Sequence, residues 1–228
     1  MRAVTYNVRG FRDGRGRVAD VVRELAPDVL LLQETGSRRD LRRFADDVGM
    51  RVARDPWSPL RRRVKNAVLL AEPWRFRSIE LSRFPSARRW YPRGALVVRA
   101  TSGANTIVAV SVHFGLAGAE RADQAASLTD LVATLDGGVV IAGGDLNATP
   151  DMRATARVAA SLRDTWSLAG QGDGSTFPAF APVARIDYVF VTHEATIVRA
   201  VVGAAGASEA SDHLPVAVDL SLASGRGQ

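Results

Sequence analysis

The sequence predicts an α/β protein built in layers, with mixed or antiparallel β-sheets and helices packed on them. Short β-branched or fully apolar runs at residues 28–33, 106–112 and 139–142 are typical of buried strands. Residues 119–135 repeat apolar side chains at helical spacing and predict the longest helix. Strand-like segments follow one another more often than they alternate strictly with helices, which favours mixed or antiparallel sheets.

The 228 residues fit one domain, because a single α/β domain of this length can bury a large core. We expect this domain to span residues 1–222 and the segment 223–228 to be a short disordered tail. We also expect the chain to be a monomer.

The first quarter of the chain predicts strand, helix, strand and helix in that order. An alternating β-rich run at residues 2–6 forms a strand that ends at Asn7. The apolar strand at 28–33 presents Glu34 at its end, and Ser37 can cap the helix that follows. Apolar residues at helical spacing predict the first helix, and Pro27 stops it. The apolar residues are Val18, Val21, Val22 and Leu25.

The rest of the chain is less regular. Residues 51–99 have the pattern of short strands with turns, and a loop rich in glycine and proline occupies 171–182. Further helices are predicted at 119–135 and 153–160. The predicted strands are at 66–71, 75–81, 94–99, 106–112, 139–142, 186–192, 196–202 and 214–222.

Polar side chains of metal-binding and proton-transfer types recur at the ends of the predicted strands. They are Asn7, Glu34, His113, Asp145, Asp187 and the pair Asp212-His213. In open α/β sheets, catalytic and ligand-binding residues lie at the ends of the strands. The stretch 143–150, which contains Asp145 and Asn147, directly follows a predicted strand and fits such a site. The alternative for this stretch is an Asx-type turn in which Asp145 or Asn147 bonds nearby backbone amides.

Composition limits the kinds of site that the chain can build. It has no cysteine, which excludes disulfides and thiolate metal sites and favours a cation bound by oxygen ligands. No apolar run approaches the length of a membrane span. The N-terminal residues become polar too soon for a signal peptide, so we expect a cytoplasmic location.

Charge is distributed unevenly along the chain. Residues 1–100 contain 23 Lys or Arg against 11 Asp or Glu, whereas residues 101–228 contain 7 against 13. This asymmetry favours a basic surface that faces an anionic partner such as nucleic acid. The alternative is a general bias toward arginine, since Lys65 is the only lysine. No platform of interleaved aromatic residues is evident, and the four tryptophans are as compatible with packing as with base contacts.

Six segments, in order, resemble the motifs of one known family: VTYNVRG, LLQETG, VHFGL, GGDLNATP, RIDYVFV and SDHLPV. The chain resembles, over almost its whole length, the endonuclease/exonuclease/phosphatase superfamily, the metal-dependent phosphoesterases related to pancreatic deoxyribonuclease. This resemblance implies a four-layer α/β sandwich, with two packed mixed or antiparallel sheets flanked by helices and the site at one end of the sheets.

The resemblance also implies a role for each polar residue. Glu34 is the first expected ligand of Mg²⁺, for which Mn²⁺ can substitute, with Asn7 and Asp212 in support. Asp145 resembles the residue that positions the attacking water, and Asn147 the amide that contacts the phosphate. The remaining expected site residues are the Asp187–His213 pair, the second histidine His113, and the substrate contacts Asn66 and Arg93.

Some of these roles stay open at the level of sequence. His213 is expected to act either as the base or as a stabiliser of the phosphate. Glu34 could instead be a rim carboxylate paired with Arg38 or Arg39. His113 could be a hydrogen-bonded core side chain, and its partner is uncertain, with Glu72 as one candidate. Arg93 could be an ordinary surface arginine.

The sequence and the resemblance together predict a Mg²⁺-dependent enzyme that hydrolyses the phosphodiester bonds of nucleic acid. The first alternative is a phosphatase or phosphodiesterase that acts on lipid headgroups or small phosphorylated metabolites. The second is a non-catalytic binding module with the same fold. Acyl transfer is disfavoured because the chain has no G-x-S-x-G sequence, and adjacent residues of an extended segment such as Ser211-Asp212-His213 point to opposite faces.

Overall fold

Two six-stranded mixed β-sheets form the centre of the molecule, and helices cover their outer faces. The computed structural model describes residues 1–56, 58, 61–86 and 90–222. The tail predicted at 223–228 lies outside the described residues, as do Trp57 and the basic pair Arg88-Arg89. The predicted four-layer α/β sandwich is confirmed.

The first sheet contains the N-terminal and C-terminal strands of the described chain. Its strands, in spatial order, are β11 (Ala195–Val202), β12 (Val216–Leu222), β1 (Arg2–Asn7), β2 (Val29–Gln33), β4 (Ala67–Leu70) and β3 (Arg51–Arg54). Only β1 and β2 are parallel neighbours, and the other pairs are antiparallel.

The second sheet is built from the middle of the chain. Its order is β5 (Arg75–Arg83), β6 (Gly94–Ser102), β7 (Asn105–His113), β8 (Val139–Asp145), β10 (Asp187–Val191) and β9 (Arg163–Asp164). β7 and β8 are parallel, and all other neighbours are antiparallel. Each sheet therefore contains a single parallel pair among its described strands. Strands β1, β7 and β8 end in predicted site residues, and Glu34 directly follows β2.

Three hydrophobic clusters separate the four layers. The middle one lies between the sheets and contains Leu31, Val68 and Ile141. The helices on the first sheet are α1 (Arg15–Leu25), α2 (Arg38–Asp47) and α6 (Ala207–Ala210). On the second sheet α3 (Gly118–Ala133) and α4 (Arg153–Ser161) pack over the third cluster, and α5 (Thr165–Ala169) contacts β10 and β11. None of the described helices combines the length and apolarity that crossing a bilayer requires.

Local sequence accounts for the helix boundaries on the first sheet. Ser37 caps α2, since its hydroxyl accepts a hydrogen bond from the amide of Asp40 at 3.1 Å. Helix α1 ends where Ala26 adopts a left-handed conformation in front of Pro27, as the proline predicted. Both features are local, which is why the sequence predicted them.

Strand β8 is longer than predicted, because it continues through both glycines to Asp145. A Cβ on Gly143 would lie 2.8 Å from Cδ1 of Leu31 in the facing sheet. A Cβ on Gly144 would overlap the carbonyl oxygen of Val112 on the neighbouring strand. These glycines therefore serve close approach of the strands, rather than the turn that a Gly-Gly sequence usually indicates.

The sequence did not predict four short elements. They are a 3₁₀ turn at Arg9–Phe11, strand β9, helix α5 and helix α6. Each is too short to show a hydrophobic period, so tertiary packing decides its conformation.

Candidate active site

Strands from both sheets deliver polar side chains to one end of the sandwich. In the second sheet, Asp145 is paired in register with His113 on one side and with Asp187 on the other. Asn7 ends β1 of the facing sheet, and its amide nitrogen donates to Oδ2 of Asp145 at 3.1 Å. His213 lies just before β12 of that sheet. The fold therefore brings together residues that are up to 206 positions apart in the sequence.

Asp145 lies at the centre of this group and is 1% exposed. Its Oδ2 lies 3.4 Å from Nε2 of His113 and 3.8 Å from Nε2 of His213. Its Oδ1 accepts a hydrogen bond from the backbone amide of Asn147 at 2.8 Å. This last contact is the Asx-type turn that the sequence left as an alternative. The turn and the cluster coexist, because the two carboxylate oxygens have different partners.

Asp187 fixes the orientation of His213. Its Oδ2 lies 2.8 Å from Nδ1 of the imidazole and also accepts a hydrogen bond from the hydroxyl of Thr176 at 2.7 Å. The ring of Phe177 packs against the imidazole with a centroid distance of 4.9 Å. Thr176 and Phe177 were missed at the level of sequence, because they lie in a glycine- and proline-rich loop that has no hydrophobic period.

The two buried histidines have opposite charge states. Burial disfavours the protonated form of His213, but the nearby charges and hydrogen bond of Asp187, with Asp145, raise its pKa to about 10. Burial and the charges of Arg93 and His213 lower the pKa of His113 well below 6.5. At neutral pH His213 is therefore an imidazolium and His113 a neutral imidazole.

The charge state of Asp145 is also unusual. Burial and the charge of Asp187 raise its pKa to about 7, although His213 opposes the shift. A carboxylate with a pKa near neutrality can accept a proton under physiological conditions. This property suits Asp145 for general-base chemistry.

His113 has different partners from those considered at the level of sequence. Its Nε2 lies 3.3 Å from the side-chain nitrogen of Asn147 and faces Asp145. The suggestion of Glu72 as its partner is wrong, because Glu72 forms ion pairs with Arg51 and Arg75 on the exposed surface. The alternative of a buried, hydrogen-bonded histidine describes the burial of His113, but its partners belong to the polar cluster.

Glu34 lies at the edge of the cluster. Its Oε1 is 3.5 Å from the side-chain nitrogen of Asn7, and its backbone has a positive φ of 52°. The backbone carbonyl accepts hydrogen bonds from Gly10 and Gly36, both at 2.7 Å. Among the described residues Glu34 forms no ion pair with the arginines at 38 and 39, so its carboxylate is available on the wall of a pocket.

The predicted metal ligands Asn7, Glu34 and Asp212 have different contacts, and their binding of an ion stays a prediction. Asp212 forms an ion pair with Arg9, with Nε and Oδ2 3.1 Å apart. The oxygen of the Asn7 amide accepts a hydrogen bond from the backbone of Arg9 at 3.1 Å. A further described group that could hold a metal ion is Asp145, Asp187 and His213, whose ligand atoms lie within 4.8 Å of one another.

The two predicted substrate contacts occupy different positions. Asn66 is fully buried, and its side-chain nitrogen donates to the carbonyls of Gly94 at 3.0 Å and Ser111 at 2.9 Å. Asn66 therefore ties the first sheet to the second, and its contact with substrate stays a prediction. Arg93 is half-buried, lines the pocket and lies close enough to Asp145 and Glu34 for their charges to act on its pKa, which burial lowers.

A pocket of about 580 Å³ opens beside the cluster. Glu34, Arg93 and His113 line it on the side of the cluster. Its charged lining consists of five cationic side chains and two carboxylates: Arg9, Arg12, Arg63, Lys65 and Arg93, with Glu34 and Glu120. A pocket with this excess of positive charge favours an anionic ligand.

Known proteins resemble the chain in sequence pattern and in fold. The Endonuclease/Exonuclease/phosphatase family matches residues 4–213. None of the curated proteins compared with the chain matches it.

Solved structures share the fold at low sequence identity. An endonuclease/exonuclease/phosphatase from Bacteroides vulgatus is 17% identical with a TM-score of 0.83, covering 97% of this chain and 98% of that one. A humanized TDP2 from D. rerio with 14 mutations is 18% identical with a TM-score of 0.79, covering 97% and 98%. A mannosyl-6-phosphatase from Bacteroides thetaiotaomicron is 16% identical with a TM-score of 0.81, covering 97% and 100%.

The family match spans nearly the whole chain, and the matched segment contains every residue of the Asp145 cluster. It also agrees with the two packed sheets and with the position of the site at one end of them. The chain therefore belongs to the endonuclease/exonuclease/phosphatase family, whose members are hydrolases of phosphoesters.

Proposed function

We propose that the chain is a Mg²⁺-dependent phosphodiesterase that cleaves nucleic acid and that accepts Mn²⁺ as a substitute ion. The observation that carries this proposal is the positively charged pocket that opens onto the buried Asp145 cluster. Phosphates of nucleic acid are bound chiefly by arginine and lysine, and Arg12, Lys65 and Arg93 form no ion pair among the described residues.

Each side chain of the cluster has a separate role in the proposed hydrolysis. Asp145, with a pKa near 7, accepts the proton of the attacking water. His213, held protonated by Asp187, donates a hydrogen bond to a phosphate oxygen whose negative charge grows in the transition state. We assign the other phosphate oxygens to Arg93, which lines the pocket, and to the side-chain nitrogen of Asn147, which lies beside His113.

The donors present fit a hard divalent cation. Asp145 and Asp187 are buried carboxylates, and Oδ1 of Asp187 has no hydrogen-bond partner. Glu34 adds a carboxylate on the pocket wall, and we propose it as the principal ligand, with Asn7 and Asp212 oriented nearby by Arg9. A bound ion would supply neutralisation of phosphate charge and a more acidic water.

Replacing Glu34 by glutamine should raise the Mg²⁺ concentration for half-maximal activity about ten-fold or more, because a neutral amide is a weaker ligand than a carboxylate. The measurement is a Mg²⁺ titration of initial rates with a diester substrate. Glu80→Gln, on the exposed surface of β5, is the matched control and should leave the curve unchanged. An activation curve equal to that of the wild type would remove Glu34 from the ligand set.

A substrate panel with and without EDTA tests the proposed function. We expect Mg²⁺-dependent cleavage of bis-p-nitrophenyl phosphate to exceed that of p-nitrophenyl phosphate, and cleavage of DNA or RNA to slow as salt is raised. Hydrolysis that persists in EDTA would contradict the metal dependence. A preference for monoesters would contradict the diesterase assignment.

A phosphatase for small phosphorylated metabolites is the second candidate. The size of the pocket supports it, because about 580 Å³ can enclose a single small ligand. The similar fold of the Bacteroides thetaiotaomicron mannosyl-6-phosphatase is compatible with this reading. Against it, Arg12 and Lys65 extend the positive charge of the pocket beyond the needs of one phosphate.

A further inference from the structure

The wall of the pocket carries two exposed aromatic side chains. Trp90 is 68% exposed and Tyr91 is 60% exposed, and both line the pocket. Among the described tryptophans, Trp74 packs into the core between the sheets and Trp166 is half-buried, so neither offers an open ring to the pocket. Packing within the fold therefore accounts for the position of Trp74, but it does not account for the exposed ring of Trp90.

One face of the Trp90 ring is supported by a cation. The guanidinium carbon of Arg62 lies 4.0 Å from the ring centroid, which is a cation–π contact. The backbone carbonyl of Arg62 accepts a hydrogen bond from Arg83 at 2.8 Å, and that of Tyr91 accepts one from Ser86 at 3.2 Å. These hydrogen bonds tie the segments of Arg62 and Tyr91 to Arg83 and Ser86. Trp90 is consequently an exposed ring on the wall of the pocket, with one face covered by Arg62.

Free cations connect this ring with the catalytic cluster. Lys65 and Arg12 line the same pocket and form no ion pair among the described residues. Arg93 lines the same pocket and lies close enough to His113 for its charge to lower the pKa of that imidazole. The pocket that Trp90 shares with the cluster thus offers three cations to the phosphates of a bound strand.

We propose that Trp90, supported by Arg62, stacks against an unpaired base of single-stranded nucleic acid whose scissile phosphate lies at the Asp145 cluster. This inference rests on the proposed nuclease function and specifies its substrate. Bases inside a duplex are stacked on both faces, so an interior base must be unpaired before it can lie flat on an indole ring. Aromatic stacking also tolerates any base, so little sequence preference is expected at this position.

The test compares two short single strands with identical phosphates. One is oligo-dT, and the other has an abasic tetrahydrofuran residue at every position. Dissociation constants are measured by fluorescence anisotropy in EDTA, where cleavage is suppressed. Trp90→Ala should weaken binding of oligo-dT about ten-fold or more and leave the abasic strand within about two-fold of the wild type. Trp90→Phe should restore most of the affinity, because the ring is retained.

The possible outcomes separate this inference from the function on which it rests. Equal effects of Trp90→Ala on both strands, or no effect on either, would overturn the stacking platform while leaving nuclease activity in place. Tighter binding of a duplex than of oligo-dT would also overturn it. Failure of the wild-type protein to bind or cleave either strand, with hydrolysis of small phosphate esters intact, would overturn the nucleic-acid assignment itself. Circular dichroism melting of the Trp90 variants establishes that the fold is retained.

Discussion

Replacing Asp145 by asparagine should lower kcat by about three orders of magnitude and leave the protein folded. The amide has nearly the same shape and can still accept the hydrogen bond from the backbone of Asn147. It cannot accept a proton from water, and it removes the negative charge that faces His113 and His213. The measurement is initial rates on bis-p-nitrophenyl phosphate at saturating Mg²⁺.

The control for this variant makes the same chemical change on the surface. Asp136 pairs with Arg99 and has a side chain that is 91% exposed, so Asp136→Asn should keep the activity of the wild type. Circular dichroism of both variants verifies that the fold is retained. If Asp145→Asn turned over substrate as fast as the parent, the role of base would have to pass to another residue.

Asp145→Asn, which should lower kcat, should also raise the stability of the fold. The pKa of Asp145 is about 7 in the fold and 3.8 in an unstructured chain, so its ionisation opposes folding as the pH rises from 3.8 through 7. Asparagine cannot ionise and avoids this cost. In EDTA we therefore expect Asp145→Asn to have a higher Tm than the wild type at pH 8, with the difference shrinking toward pH 4. The buried carboxylate of Asp145 thus makes the fold less stable, although the proposed reaction requires it as the base.

Most of the fold was predictable because its signals are local. Buried strands such as β2 and β7 are continuous apolar runs, and Ser37 and Pro27 mark helix boundaries by their own backbone chemistry. Strand order, the pairing of the sheets and the four-layer arrangement came from the family resemblance. Local patterns do not determine which strands become neighbours.

The sequence predicted which residues form the candidate site, but it did not predict the contacts among them. The motifs pointed to His113, Asp145 and His213, which the structure does bring together. They gave no indication that Arg9 would pair with Asp212, since no motif or period links those two positions. Such pairings depend on loop conformations, which the sequence specifies only through the whole fold.

Replacing Gly144 by alanine should be among the most destabilising single substitutions in the protein. The added Cβ would overlap the carbonyl oxygen of Val112, which lies directly opposite on β7. That oxygen is backbone at the centre of a sheet, so it cannot move aside as a flexible side chain would. We expect the free energy of unfolding to fall by about 4 kcal/mol or more, measured by urea denaturation, with a corresponding loss of soluble protein.

Gly16→Ala adds the same methyl group with the opposite expected result. Gly16 lies within helix α1, and its added Cβ would meet no atom within 4 Å. Alanine there should raise stability by up to about 1 kcal/mol, because glycine is a poor helix former.

A Gly144→Ala variant as stable as the wild type would show that β7 and β8 can separate without cost. Since those strands carry His113 and Asp145, any folded Gly144→Ala protein should also lose activity as the distance between the two side chains increases.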